Sequence, residues 1–268
     1  DPPFLSYMYM QTYKVMEEKK QLFPTEEVSL PSRGLIYPAD NPLSRGSVEM
    51  KYMTAKEEDI LTNESYIKKG VVIDKLLQSL IVSPINYNDL ASGDKNSLLV
   101  AARVLGYGKD YKFDIQSPTG AKISHTLDLT ELEDKELDKK HLLKPNTNEF
   151  SFTLPVLKKE LTFKYLTHRD ERKIDEELKG RKKANQEVGE LTTRLKYIIQ
   201  SVDGDYEKKT IREFVDNQLL ARDSRALREH MKNIGPDVDM TFEYEDENGD
   251  MQRGVNVPLN ITFLWPDA

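Results

Sequence analysis

Lys51-Tyr52-Met53-Thr54 returns in the second half of the chain as Lys164-Tyr165-Leu166-Thr167, and this echo decides the fold. After each Thr an acidic pair stands three and four residues on, Glu57-Glu58 in the first case and Asp170-Glu171 in the second. A Thr with an acidic residue at that spacing closes a capping box, so each site opens a helix. Further along, one constant offset aligns a longer block without gaps. Asp94 meets Asp223, Leu98 meets Leu227, Leu105-Gly106 meets Ile234-Gly235, Phe113 meets Phe242 and Gly120 meets Gly249. An ordered series across caps, helix stops and turns points to an internal duplication.

The expected fold class is therefore α+β, with two diverged repeats. Each repeat contains a strand, about three helices and a β-hairpin that looks like a zinc knuckle without its cysteines. One such half buries little core, and two halves packed by their apolar faces bury a continuous one. Residues 1–27 read as an N-terminal extension or docking arm, rich in Tyr and Met (Tyr7, Met8, Tyr9, Met10, Tyr13, Met16). Residues 28–130 form the first repeat, the polar stretch 131–148 a linker, and 149–268 the second repeat. The second copy is longer by about 16 residues, which the charged run at about 168–190 accounts for as an enlarged helical insertion.

Local signals fill in the first copy. Ser47 to Met53 alternates as a strand does. A helix follows Thr54 as far as Leu61, and Val72, Ile73, Leu76, Leu77, Leu80 and Ile81 recur at helical spacing. Ser92 or Asp94 caps a third helix that stops at Gly106 and Gly108. Lys112 to Ile115 and Ile123 to Leu129 flank the turn Ser117-Pro118-Thr119-Gly120 as two strands. In the second copy, Glu149 to Leu154 and Glu160 to Leu166 form a hairpin-like pair.

Composition narrows the function classes. The formal net charge is −7, from 39 basic and 46 acidic residues. Duplex DNA binding draws on a basic excess that this chain lacks, so no nucleic-acid partner is expected. The 268 residues include no cysteine, which removes disulfides, thiolate catalysis and cysteine-bound zinc. No apolar run approaches the roughly 20 residues that span a bilayer, and the first residues lack the pattern of a signal peptide.

The chemical motifs read as structure. His168-Arg169-Asp170 is the tripeptide of a kinase catalytic loop, but Asp175 stands where that motif needs Asn, so it reads as a helix cap. His125, His141 and His230 are isolated in sequence. Carboxylates are too abundant for an acid–base pair to be chosen among them. Gln116 and Thr119, with Glu245 and Asn248, hold the places that knuckle cysteines would occupy, and hydrogen bonds must hold these turns instead. No enzyme activity, cofactor or metal is expected.

Several stretches together resemble the baseplate hub and assembly proteins of T4-type bacteriophages. They are Leu30-Pro31-Ser32-Arg33-Gly34 with Tyr37-Pro38, Met53-Thr54, and Glu57-Glu58-Asp59-Ile60-Leu61. Gly93-Asp94 to Tyr107-Gly108, Asp223-Ser224-Arg225-Ala226-Leu227-Arg228 and Pro236-Asp237 follow, then Pro258-Leu259 to Phe263-Leu264-Trp265-Pro266. The likeness runs from about residue 28 to the end and leaves the lead segment outside it. It implies a late structural protein of a contractile tail, placed in the virion baseplate and in the host cytoplasm during assembly. The implied partners are other baseplate, hub, tube-initiating or tape-measure proteins in a symmetric assembly. The alternative it leaves open is a transient assembly chaperone absent from the mature virion. The candidate interaction residues are Ser32, Arg33, Gly34 and Tyr37 in the first bend, and Phe263 and Trp265 near the C-terminus. Arg33 offers a planar fork for carbonyls or carboxylates, and Trp265 an aromatic anchor.

Overall fold

Two capping boxes organise the chain in the computed structural model, which describes residues 24–259 and 261–266. Thr54 precedes α1 (Ala55–Leu61), and its backbone N–H and hydroxyl both donate to Glu57 at 2.9 and 2.6 Å. Thr167 does the same for α5 (His168–Lys183), donating to Asp170 with both groups at 3.0 Å. In each case the preceding Lys closes the ring: Lys51 reaches Glu57 at 2.8 Å, and Lys164 reaches Asp170 at 2.9 Å. His168-Arg169-Asp170 is thus a helix start.

The first half opens with β1 (Thr25–Ser29) antiparallel to β2 (Ser47–Lys51). Then come α1, α2 (Glu64–Lys68) and α3 (Val72–Leu80), after which Ile81 returns to bridge Met50 on β2. Helix α4 (Ser92–Tyr107) leads into the hairpin of β3 (Asp110–Gln116) and β4 (Lys122–Asp128). The second half opens with β6 (Phe150–Thr153) antiparallel to β7 (Glu160–Phe163), then α5 and α6 (Glu190–Ile198). Ile199 begins β8 (Ile199–Val202) and pairs with Phe163 on β7. Helices α7 (Lys208–Asn217) and α8 (Ala221–Ile234) precede the hairpin of β10 (Thr241–Glu245) and β11 (Met251–Asn256). A final short helix, α9, covers Ile261–Leu264.

Two buried aspartates make similar contacts that the sequence pattern does not reveal. Asp94, in the first turn of α4, is fully buried and accepts the Ser32 N–H at 2.9 Å, just past the Leu30-Pro31 pair. Asp223, in the first turn of α8, is equally buried and accepts the Val156 and Leu157 N–H groups at 2.8 and 3.0 Å, just past Leu154-Pro155. The Tyr52 N–H donates to Pro24 O, and the Tyr165 N–H to the Asn148 side chain. Expected as caps, neither Ser92 nor Asp94 takes that position; Ala91 does, which frees the Asp94 carboxylate for the bend.

Ile81 and Ile199 both return to a strand, at Met50 and at Phe163. The stretch from Thr54 to Ile81 and that from Thr167 to Ile199 differ by five residues, whereas Ile81 to Asp94 and Ile199 to Asp223 differ by eleven. In the second half α7 lies between Ile199 and Asp223, and α5 occupies most of the charged run 168–190. In that run α5 is continuous, whereas α1 and α2 follow Thr54 as two separate helices.

One buried cluster passes through both halves, including Leu30, Leu77, Leu98, Phe150, Phe163 and Leu227. Each such side chain stabilises the fold by about 1.5–3 kcal/mol relative to exposure. The halves join by backbone as well. Ser92 N–H donates to Leu166 O at 3.1 Å and His168 N–H to Leu90 O at 2.9 Å. Gly93 lies so close to the Pro236 carbonyl that a β-carbon there would collide with it. The polar stretch 131–148 is also tied down. Within it β5 (Asp134–Lys135) pairs with β9 (Asp237–Val238), Leu137 is buried, and Leu142 bridges Phe150. No described helix is long and apolar enough to cross a membrane. The Tyr- and Met-rich arm up to residue 23 lies outside the described residues.

Candidate functional site

The Ser32-Arg33-Gly34 bend is built around Asp94. Besides the Ser32 N–H, that carboxylate accepts the Ser32 hydroxyl and the Tyr37 hydroxyl, each at 2.6 Å, and Tyr37 Oη in turn accepts the Ala91 N–H at 3.0 Å. Burial raises the Asp94 carboxyl above the usual range, against the lowering effect of these hydrogen bonds, and burial beside Asp94 pushes the Tyr37 phenol well up. Arg33 sits at φ 51 and Gly34 at φ 78. At Gly34 a β-carbon would run into the Ser44 carbonyl, so both backbone conformation and space require glycine.

Ser32, Gly34 and Tyr37 consequently face the interior. Arg33 alone turns outward, where its fork holds Glu136 at 2.6 Å and Asp134 at 3.3 Å, with one N–H on Leu30 O. The partner that the sequence suggested for this guanidinium is found within the chain, on the 131–148 stretch. Of the first candidate group, Arg33 is what a second protein would meet.

Phe263 and Trp265 divide in the same way. The Phe263 ring is buried, edge-to-face on Tyr111 with centroids 5.1 Å apart, and Tyr111 Oη donates to Pro258 O at 2.6 Å. These contacts fasten the C-terminal segment to α4 and β3 of the first half. Trp265 remains half-exposed and lines a cleft of about 350 Å³ with Leu61, Ile67, Val72, Ile73 and Leu259. Ile67, Ile73 and Leu259 are exposed at its rim. Grouped exposed apolar residues mark an interaction surface more often than single ones do. The cleft joins α1, α2 and α3 to the C-terminal segment, and that long-range meeting is why sequence reasoning found its tail residues and missed Ile67 and Ile73.

A second, polar cleft of about 670 Å³ opens between α3, the start of α4 and α5, bordered by Asp74, Lys95, His168 and Arg172 among others. Asp74 accepts the Tyr87 hydroxyl at 2.6 Å and Lys95 at 3.2 Å, and His168 Nδ1 lies 3.7 Å away without a hydrogen-bond partner. Burial lowers the His168 pKa below the ordinary histidine value, with Asp74 opposing that shift. The Asp74 carboxylate is thus occupied by two donors in the folded chain. Among the described residues no group of three or more His, Asp or Glu could hold a metal ion.

The chain matches no protein-family model, and neither a curated protein nor a solved structure is significantly similar to it.

The two hairpin turns lie side by side. Ser117 Oγ accepts the Ala121 N–H in one turn, and Asp246 Oδ1 accepts the Asn248 and Asp250 N–H groups in the other. Glu247 then accepts hydrogen bonds from Ser117 at 2.9 Å and from Thr119, linking turn to turn. Hydrogen bonds accepted by Ser117 and Asp246, one residue on from Gln116 and Glu245, hold these turns.

Proposed function

We propose that this chain is a structural component of a contractile-tailed phage baseplate, hub or hub-proximal, built from two diverged copies of one α+β unit. In this reading it is a binding protein and not an enzyme, it works in the tail baseplate, and its partners are other tail proteins. The Leu30-Pro31-Ser32-Arg33-Gly34 bend and the terminal Phe263-Leu264-Trp265-Pro266 carry the resemblance. The observation that carries the binding role is the apolar cleft between those tail residues and Ile67 and Ile73. An aromatic side chain at the edge of such a cleft, with exposed aliphatics around it, has the composition of a protein-binding hot spot.

The duplication is supported by matched contacts: two Thr-capped helices with Lys–carboxylate pairs, two buried aspartates on Leu-Pro bends, and two strand returns at Met50 and Phe163. Mass spectrometry of purified particles and of tail-assembly intermediates tests the functional reading. Presence in finished particles supports it. Presence in intermediates with loss from particles replaces it by the transient chaperone, and absence from both rejects it.

A further inference from the structure

The two halves treat the outer edge of their first strand differently. In the second half, the chain that precedes β6 folds back over it. Leu142 bridges Phe150, and the Leu143 N–H donates to Glu149 O at 3.2 Å. His141 follows the same path and meets His230 of α8, which stacks on Phe152 of β6 with centroids 4.7 Å apart. The start of the strand edge is bridged, and the His230 ring fills the groove between β6 and α8.

In the first half the corresponding edge, that of β1, pairs only with β2 among the described residues. Val28 and Ala101 stand where Phe152 and His230 stand in the other half, by the offsets of the Leu-Pro bends and of the buried aspartates. The smaller pair leaves a groove of about 320 Å³ between β1 and α4. Glu26, Val28, Val100, Ala101, Val104 and Leu105 are among the residues that line it. An unpaired strand edge beside an apolar helix face is a site for an added extended segment.

We propose that this groove is a docking site for the chain's own N-terminal segment, residues 1–23. The chain enters β1 through Pro24, whose carbonyl accepts the Tyr52 N–H, just as Asn148 binds Tyr165 at the entry to β6. Apolar residues are available at a similar interval. Met16 stands ten residues before Glu26, against eight from Leu142 to Phe150, and Val15, Leu22 and Phe23 flank it. Tethering of this kind gives the segment an effective concentration on the order of millimolar. The inference uses the matched contacts of the two halves and stands apart from the baseplate reading.

The absence of cysteine makes the test direct, because Ala101→Cys places a single thiol in the groove. Its rate of modification by a small thiol reagent is compared between the full chain and a chain starting at Pro24. The expected result is a rise of roughly tenfold on truncation, the factor that about 1.4 kcal/mol of docking produces, at every protein concentration. A full-length chain with Met16→Glu and Phe23→Glu reads the same docking if the truncated chain does not fold, and the same rise is expected. Equal rates in the full and altered chains overturn the proposal. Protection that grows with protein concentration also overturns it, since a second copy would then be the occupant.

Discussion

Phe113 and Phe242 meet edge to face with their ring centroids 5.2 Å apart. Phe113 belongs to β3 and Phe242 to β10, so the contact joins one hairpin to the other. His125 stacks on Phe242 at 4.8 Å and extends the cluster. Replacing either Phe by Ala removes a buried ring and leaves a cavity, at a cost of about 3–4 kcal/mol. The double variant is expected to lose less than the sum, by about 0.5–1.5 kcal/mol of aromatic coupling. Denaturant titrations of the four chains check this, and strict additivity would mean that the rings do not act as a pair.

The two buried aspartates give a second expectation. Asp223→Ala strands the Val156 and Leu157 N–H groups, and Asp94→Ala strands the Ser32 N–H and hydroxyl with the Tyr37 phenol. Each orphaned buried group costs about 1–3 kcal/mol. Both variants are expected to lower the thermal midpoint, Asp94→Ala by more because it strands more groups. Differential scanning calorimetry reads the order.

Glu177 predicts part of the acid response. Arg212 grips it with two hydrogen bonds at 3.0 Å, and Tyr197 and Arg181 add one each, so that against partial burial its carboxyl is drawn down to about 2. A lowered folded-state pKa means that the unfolded chain takes up the proton first. The stabilisation is present above the ordinary glutamate value of about 4.5 and is lost as pH falls towards 2. Glu177→Gln is expected to cost about 1–2 kcal/mol at pH 7 and to flatten the stability–pH curve between those limits. An unchanged curve would remove Glu177 from the acid response.

His125 acts in a neighbouring range. Burial among Phe113, Phe242 and Tyr244 lowers its pKa below the ordinary 6.5, so the folded chain keeps the ring neutral. The unfolded chain binds the proton more readily, and stability declines as pH falls below 6.5 towards the depressed value. His125→Phe keeps a flat ring and removes this proton. Its stability relative to the parent is expected to rise as pH drops from 7 to 5, which urea titrations at both pH values measure.

Much of this architecture was legible where the signal is local. Thr54 with Glu57, and Thr167 with Asp170, announced their helices because a capping box closes within four residues. Gly120 and Gly249 marked their turns because both adopt positive φ. The role of Asp94 stayed hidden because its partners Ser32 and Tyr37 lie far away in sequence. The Leu30-Pro31 and Leu154-Pro155 pairs went unmatched because the connection to β2 is longer than that to β7. Strand β8 was missed because Ile199 continues the apolar spacing of α6. Within the polar stretch 131–148, β5 is held by backbone hydrogen bonds, which polar side chains neither signal nor prevent. Of the candidate site, Trp265 stood out by its chemistry, whereas Ile67 and Ile73 join it only once α2 and α3 fold against the C-terminal segment.

A cryo-electron microscopy map of the native tail tests the central claim most directly. The account predicts density for this chain within the baseplate, with a neighbouring tail protein seated over Trp265, Ile67 and Ile73. A baseplate fully accounted for by other chains, or one containing this chain with that cleft open to solvent, would contradict it.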